Sequence, residues 1–353
     1  MNFSIQERII AFIELGKLIN AYLLAEKPIN SIDLKIENAV QTAYHENEWF
    51  TPFFIKHALS AIASQLTHDN IKQWLSKYDL AFNAKTYPFN IAIISAGNIP
   101  LVAFHDFLSV IITGNNALVK LSSKDIILLP TLAELLVNID PRFHHVFEFS
   151  DNKINESDAL IATGSNLAAQ LFDYKFEEKR KIIRKNRSSI GIITGKETQE
   201  ELNLISDDMF LYFGLGCRNI SKIFIPQAYD FSKLLTSINK YEFMPEHKKY
   251  YSNYLFQKNI LHLNQTEFID TGFSILRNSS ELHSALGVTN YEYYASDQEI
   301  NSYIAKNHDN LQCIVSNSPS RTNVQIGESQ SPKLWDYSDG IDTIEFILNK
   351  NDI

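Results

Sequence analysis

Asn90-Ile91-Ala92-Ile93-Ile94 and Ala117-Leu118-Val119-Lys120-Leu121, joined through Gly97-Asn98-Ile99-Pro100 and Gly114-Asn115-Asn116, form the stretch that decides the fold. Short apolar runs rich in β-branched residues read as strands buried on both faces, where no polar alternation is needed. Between them, residues 101–112 read as a helix that the Gly114-Asn115-Asn116 cluster stops. Strand, helix and strand in this order make a βαβ unit. Further on, Pro130 can open a helix over residues 131–137, and strands are expected at 145–149 and 159–162. The last of these runs through Thr163-Gly164-Ser165 into a helix at 166–172. Such alternation predicts a mostly parallel sheet with helices on both faces. Upstream of Phe89 the chain reads as helical. Ile5, Ile9, Phe12, Gly16, Ile19 and Leu23 step by three or four, as do Phe54, Ala58, Ile62 and Leu66.

A charged stretch, Glu177-Glu178-Lys179-Arg180-Lys181, precedes a new strand at 190–193. The domain boundary is placed there, giving residues 1–187, with a helical amino-terminal segment, and residues 188–353, with a tail. The second half again alternates, with elements at 197–213, 222–225, 231–238 and 312–315. It ends in a Ser/Asn/Pro-rich segment at 316–320 and a last strand at 343–348. The expected class is α/β, two domains each with a mostly parallel sheet flanked by helices.

With 353 residues the chain is long enough for two domains. It is 45% hydrophobic and 21% charged, a globular composition. No apolar run approaches the ~20 residues needed to span a bilayer, and the first residues lack a signal-peptide pattern. The net charge of −9 argues against a nucleic-acid partner, which needs a basic face. Two cysteines, Cys217 and Cys313, without paired CxxC spacing, argue against a disulfide framework and a structural zinc site. A reducing cytoplasm is the expected setting.

Cys217 lies in Phe213-Gly214-Leu215-Gly216-Cys217-Arg218-Asn219, a glycine-bracketed turn between a helix and a strand. Small neighbours leave its sulfur uncrowded, and backbone amides or the adjacent Arg218 can favour the thiolate, a nucleophile for acyl groups. The competing reading is a small hydrophobe packed in a tight turn. Cys313, in an apolar strand, reads as inert packing. Asn98 follows a glycine at the carboxyl end of the first strand, where open α/β sheets bind ligands. Its amide can donate to an oxyanion, or the residue can be a turn-former or helix cap. Thr163, Gly164 and Ser165 end a strand and open a helix whose free amides suit a pyrophosphate. Lys120, Ser122 and Ser123 end the second strand, within reach of a cofactor ribose. A plain helix cap and a solvated lysine are the alternatives.

Taken in order, residues 96–100, 114–123, 162–165 and 214–217 resemble the aldehyde dehydrogenase superfamily. More closely, the chain resembles the acyl-CoA reductases related to the fatty-acid reductase of bacterial luminescence (LuxC-type), also through Trp49-Phe50-Thr51, residues 207–221 and residues 330–343. The resemblance runs over nearly the whole chain. It implies a cofactor-binding domain, a catalytic domain with the active site between them, and reduction of a fatty acyl thioester such as acyl-CoA to an aldehyde with NADPH. On that basis Cys217 is the acylated nucleophile, and Asn98 shares the oxyanion site with the Cys217 amide. Lys120 contacts the adenosine ribose and Ser165 lies near the pyrophosphate. Oxidative superfamily members place a glutamate base just before the second domain. Here that segment, residues 182–188, has no carboxylate, which suits an enzyme that protects its acyl intermediate from water. NAD-preferring members often carry a glutamate where this chain has Ser123, and Lys124 beside it suits a 2′-phosphate. The alternatives are an oxidative NAD(P)-dependent aldehyde dehydrogenase and an acyl-accepting subunit without reductase activity. The expected partners are a small acyl thioester and either a second copy of the chain or acyl-supplying enzymes.

Overall fold

The computed structural model describes residues 3–78, 88–318 and 323–349. They form two compact units, one of Met1–Lys185 with Pro332–Ile353, the other of Asn186–Ser331.

The first unit opens with four helices, α1 (Ile5–Leu24), α2 (Ser31–Glu46), α3 (Pro52–Gln65) and α4 (His68–Leu75). Each start is written in the sequence. Ser4 and Glu7 form a reciprocal capping box, Asn30, Thr51 and Thr67 cap the others, and Pro52 occupies a first-turn position. Phe12, Leu15 and Ile19 are fully buried along α1. Gly16 sits on the same stripe because a Cβ there would lie 2.6 Å from Leu66 Cβ.

A sheet follows, built from β1 (Asn90–Ile94), α5 (Phe104–Ile112), β2 (Asn116–Lys120), α6 (Leu128–Ile139), β3 (Phe147–Phe149), β4 (Ala159–Thr163), α7 (Asn166–Lys175) and β5 (Arg180–Arg184). Its order is β3-β2-β1-β4-β5, and every pairing is parallel. Ile91, Ala92 and Ile93 are buried in succession, as the unbroken apolar run predicts. The charged run at 177–181 differs from expectation in part. Glu177 and Glu178 are exposed, but Arg180 and Lys181 already belong to edge strand β5.

The second unit runs β6 (Ser188–Ile192), α8 (Gln199–Phe210), β7 (Ile220–Pro226), α9 (Ser232–Ile238), α10 (Lys248–Leu263), β8 (Phe268–Asp270), β9 (Ile275–Asn278), β10 (Val288–Tyr294), α11 (Asp297–Asn307) and β11 (Leu311–Val315). The sheet order is β11-β6-β7-β10-β9-β8, parallel except for the antiparallel edge pair β8/β9. The segment 316–320 ends outside the described residues.

The tail was expected with the second half, but residues from Pro332 onward pack into the first unit. Gln65 Nε2 donates to Pro332 O (2.6 Å), and His105 Nε2 lies 2.9 Å from Leu334 O. Trp74 Nε1 donates to the Tyr337 hydroxyl (2.6 Å), and Tyr78 donates to Asp342 (2.6 Å). The expected strand at 343–348 is instead a helix, α12 (Thr343–Leu348). The physical reason is the cap. Asp342 accepts the Glu345 amide, and Ile344 and Ile347, three apart, turn to one buried face. Beneath it Arg184 pairs with Asp106 at 2.6 Å and donates to Thr343 Oγ1 at 2.9 Å, all three side chains being buried.

Candidate functional site

In the first unit the strand order reverses between β1 and β4. Open α/β sheets carry their ligand crevice at the carboxyl ends of such a pair. The sequence places Gly97 and Asn98 after β1, Lys120, Ser122 and Ser123 at and after β2, and Thr163, Gly164 and Ser165 at the end of β4. The fold thus brings all of them to one edge of one sheet.

Two of the loops are bolted together. Ser95 N donates to Lys120 O at 3.0 Å. Gly97 is buried, and a Cβ there would stand 2.8 Å from Ser122 Cβ and 2.9 Å from Lys124 Cβ, so no side chain fits. Leu101, at φ 61°, turns its amide to Asp125 Oδ2 at 2.8 Å. Asn98, exposed, stands on the turn held between these two ties. The helix-cap reading of Asn98 is overturned, because α5 begins only at Phe104 and the residue at its cap position is Ala103. Asp125 is buried, which pushes its carboxyl up to about 6 against the pull of the Leu101 amide. Sequence reading missed it, since nothing local distinguishes this aspartate from a surface one.

Lys120 is partly exposed, with Nζ 3.8 Å from Asp151 Oδ1, a weak surface pair. Ser123 and Lys124 are exposed, and Ser122 Oγ accepts the Lys124 amide at 3.3 Å. Ser165 caps α7, accepting the Ala168 amide at 3.2 Å. Gly164 is needed there because a Cβ would meet Ala168 Cβ at 2.9 Å. The cap leaves the first-turn amides of α7 directed past the carboxyl edge of the sheet, the arrangement that receives an anion.

Cys217 belongs to the second unit, in the connection from α8 to β7. It is exposed, and neither cysteine is in a disulfide, so the packed-hydrophobe reading does not hold for it. Cys313 is fully buried on β11, as expected. Arg218 donates to that second sulfur, with Nη1 3.4 Å from Cys313 Sγ. Cys217 precedes β7 and therefore lies at the amino end of a parallel strand, unlike the crevice of the first unit.

The loop is strained and braced. Tyr212, Phe213 and Gly214 take φ values of 56°, 57° and 73° in succession. For the two non-glycine residues this left-handed backbone costs roughly 1–2 kcal/mol each. Both aromatic rings are buried, Phe213 lying 4.6 Å from the His247 ring and 5.4 Å from that of Tyr250. Two buried side chains missed at the sequence level complete the brace. Asn219 Oδ1 accepts the Gly216 amide at 2.8 Å, while its Nδ2 donates to the carbonyls of Asp208, Met209 and Leu211. Ser189 Oγ donates to Cys217 O at 2.8 Å and accepts the Cys313 amide at 3.0 Å. The signal for Asn219 was its place two residues after Cys217. Ser189 is nearly thirty residues away and had no local signal. Asp208, fully buried on α8, accepts Gly327 N, Ser329 N and Ser329 Oγ, and burial pushes its carboxyl up to about 6.

Among the described residues no cluster of three His, Cys, Asp or Glu side chains can hold a metal, and no helix is long and apolar enough to cross a membrane.

Solved aldehyde dehydrogenases share this architecture. KauB of Pseudomonas aeruginosa superposes with a TM-score of 0.61 at 14% identity, over 90% of this chain and 73% of its own. An indole-3-acetaldehyde dehydrogenase complexed with NAD+ gives 0.64 at 12% identity, over 90% and 73%. Aldehyde dehydrogenase 21 of Physcomitrella patens, solved with the product succinate, gives 0.60 at 11% identity, over 98% and 88%. No protein-family model matches the sequence, and no curated protein matches it. The chain has an aldehyde-dehydrogenase-like fold.

Proposed function

We propose that the chain is an oxidoreductase acting at the aldehyde and acyl-thioester level, and specifically that it reduces a fatty acyl-CoA to the aldehyde with NADPH. The observation that carries this reading is an exposed thiol, Cys217, on a strained and braced loop within an aldehyde-dehydrogenase-like fold. The carboxyl edge of the first sheet fits the cofactor. Gly97 and Gly164 leave no space for side chains, the first turn of α7 offers amides that would receive a pyrophosphate, and Lys120, Ser122 and Ser123 would flank the ribose. Exposed Ser123 and Lys124 put no negative charge beside a 2′-phosphate. When bound, NADPH supplies the hydride.

In this mechanism the Cys217 thiolate attacks the thioester carbonyl carbon. The Asn98 amide donates to the oxygen as its charge develops, an effect worth about 10²–10³ in kcat in other enzymes. The bond from carbon to the CoA sulfur breaks, CoA leaves as its thiolate and takes a proton from solvent, and the acyl group stays on Cys217 Sγ. Hydride addition to that carbon gives the hemithioacetal as its alkoxide, which collapses to the aldehyde and returns the Cys217 thiolate. Residues 182–188 offer no carboxylate to activate water, and Arg184 within them is committed to Asp106. The acyl-cysteine therefore persists until reduced.

A second reading, an NAD(P)-dependent aldehyde dehydrogenase working oxidatively, draws support from the neighbours, which are named as such and include NAD+ complexes. One assay separates the two. The purified chain is offered acyl-CoAs of graded length with NADPH, and aldehydes with NAD+ or NADP+ without CoA. CoA-linked NADPH consumption with trapped aldehyde supports the reductase. Steady acid formation from aldehyde alone rejects it in favour of the dehydrogenase. In either case Cys217→Ala is expected to abolish turnover with folding kept, and Asn98→Ala to lower kcat about 10²-fold with cofactor affinity little changed. Full turnover by Cys217→Ala removes the nucleophile from this scheme.

A further inference from the structure

Asn219 and Ser189 hold three consecutive peptide planes around Cys217. The plane between Leu215 and Gly216 is held through its N–H, which donates to Asn219 Oδ1 at 2.8 Å. The plane between Gly216 and Cys217 is held through its carbonyl, which accepts the Asn219 amide at 3.1 Å. The plane between Cys217 and Arg218 is held through its carbonyl, which accepts the Ser189 hydroxyl at 2.8 Å. In a planar trans peptide the N–H points opposite to the C=O. Tying Gly216 O to Asn219 therefore aims the Cys217 N–H to the other side of the loop. Tying Cys217 O to Ser189 does the same for the Arg218 N–H.

Both anchors are themselves fixed. Asn219 Nδ2 donates to carbonyls at the carboxyl end of α8, groups that a helix end otherwise leaves without intrahelical partners. Ser189 sits where the sheet is irregular on both sides. The β6/β7 register shifts between Ser189 and Ile190, and the β11/β6 register shifts between Leu311 and Ile314. Its hydroxyl bridges this gap, receiving the Cys313 amide and donating to Cys217. Register irregularities of this kind are common next to active sites, where they re-aim a side chain.

We propose that Asn219 and Ser189 are positioning residues for Cys217, forming a clamp that sets both the direction of its sulfur and the direction of its amide. The proposal rests on the nucleophile role of Cys217, and its test is chosen to separate the two ideas. Wild type, Ser189→Ala, Ser189→Thr, Asn219→Ala and Asn219→Asp are compared in three measurements. These are the rate of Cys217 alkylation by iodoacetamide from pH 6 to 10, read by peptide mass, kcat with saturating acyl-CoA and NADPH, and the Kd for NADPH. Ser189→Ala is expected to change the pH profile of Cys217 alkylation, because the peptide planes that carry the thiol lose their anchor, and to lower kcat about 10- to 100-fold. The Kd for NADPH is expected to change less than about twofold, because the proposed cofactor residues lie in the other unit. Ser189→Thr, which keeps the hydroxyl, restores both. Asn219→Asp keeps the acceptor for Gly216 and is expected to fall between wild type and Asn219→Ala. Should Asn219→Ala fail to fold, the Ser189 pair decides. If folded Ser189→Ala alkylates with the wild-type profile and turns over at the wild-type kcat, the clamp is rejected. If the alkylation profile shifts while the wild type reduces no acyl-CoA, the clamp stands and the acyl-CoA reading falls.

Discussion

At the scale of single residues, the buried carboxylate Asp125 links the site to pH. Burial raises its folded value to about 6, above the unfolded value near 3.9. The folded protein therefore binds this proton more tightly than the unfolded chain. Its contribution to stability is full below about pH 4, declines as pH rises to about 6, and is absent above that. Asp125→Asn carries no charge at any pH and retains an oxygen for the Leu101 amide. Relative to wild type, the variant is expected to be more favourable at pH 7.5 than at pH 4.5, by on the order of 1–2 kcal/mol in urea unfolding. Asp208, also raised to about 6, is present in both proteins and cancels from the comparison. An identical difference at the two pH values would mean that the Asp125 carboxyl titrates in the folded protein as it does in the unfolded chain, with no raised value.

At the scale of elements, the turn after β1 and the loop after β2 act as one piece because Gly97 has no Cβ. Gly97→Ala brings a carbon within 2.8 Å of Ser122 Cβ, so the loops must part by several tenths of an ångström. The expected result is a rise of at least about tenfold in the Kd for NADPH, with a smaller change in melting temperature than a core truncation causes. Unaltered cofactor binding would detach this edge from the proposed cofactor site. The same elements explain how far the sequence could be read. β1, β2 and β4 were legible because strands buried on both faces are unbroken apolar runs. β5 was hidden because Arg180, Lys181 and Arg184 look like a solvated charge run, while the alternation that places Ile182 inside is short. Residues 343–348 read as a strand because six residues rich in Thr, Ile and Phe carry β propensity, and the local cap at Asp342 together with the burial of Ile344 and Ile347 on one face outweighs it. Within the site, Cys217, Asn98 and the glycines were visible through local motifs. Ser189, Asp125 and Asp208 act through contacts made only in the folded chain, and no spacing in the sequence announces them.

At the scale of the whole molecule, the chain leaves the first unit at Lys185, builds the second, and returns at Pro332 to finish the first. That return supplies Leu334, Ile344 and Ile347 to the core of the first unit, each almost fully buried. It also supplies the hydroxyl that receives the Trp74 indole, the carboxylate that receives Tyr78, and the hydroxyl that receives Arg184. Removing residues 332–353 takes nothing internal from the second unit. In the first it strips three apolar side chains, each worth roughly 1.5–3 kcal/mol when buried, and strands Arg184 with one partner fewer in a buried pair. The sum is comparable to the whole stability of an ordinary domain. The truncated protein is therefore expected to melt in two steps, with the first unit unfolding well below the second. Hydrogen exchange should speed up in α4, α5 and β5 while β6, β7 and β10 stay protected. Cys217 alkylation should keep its wild-type pH profile, because Asn219 and Ser189 lie in the unit left intact. A single cooperative transition at the wild-type temperature would show that the returning segment does not stabilise the first unit, whatever its contacts.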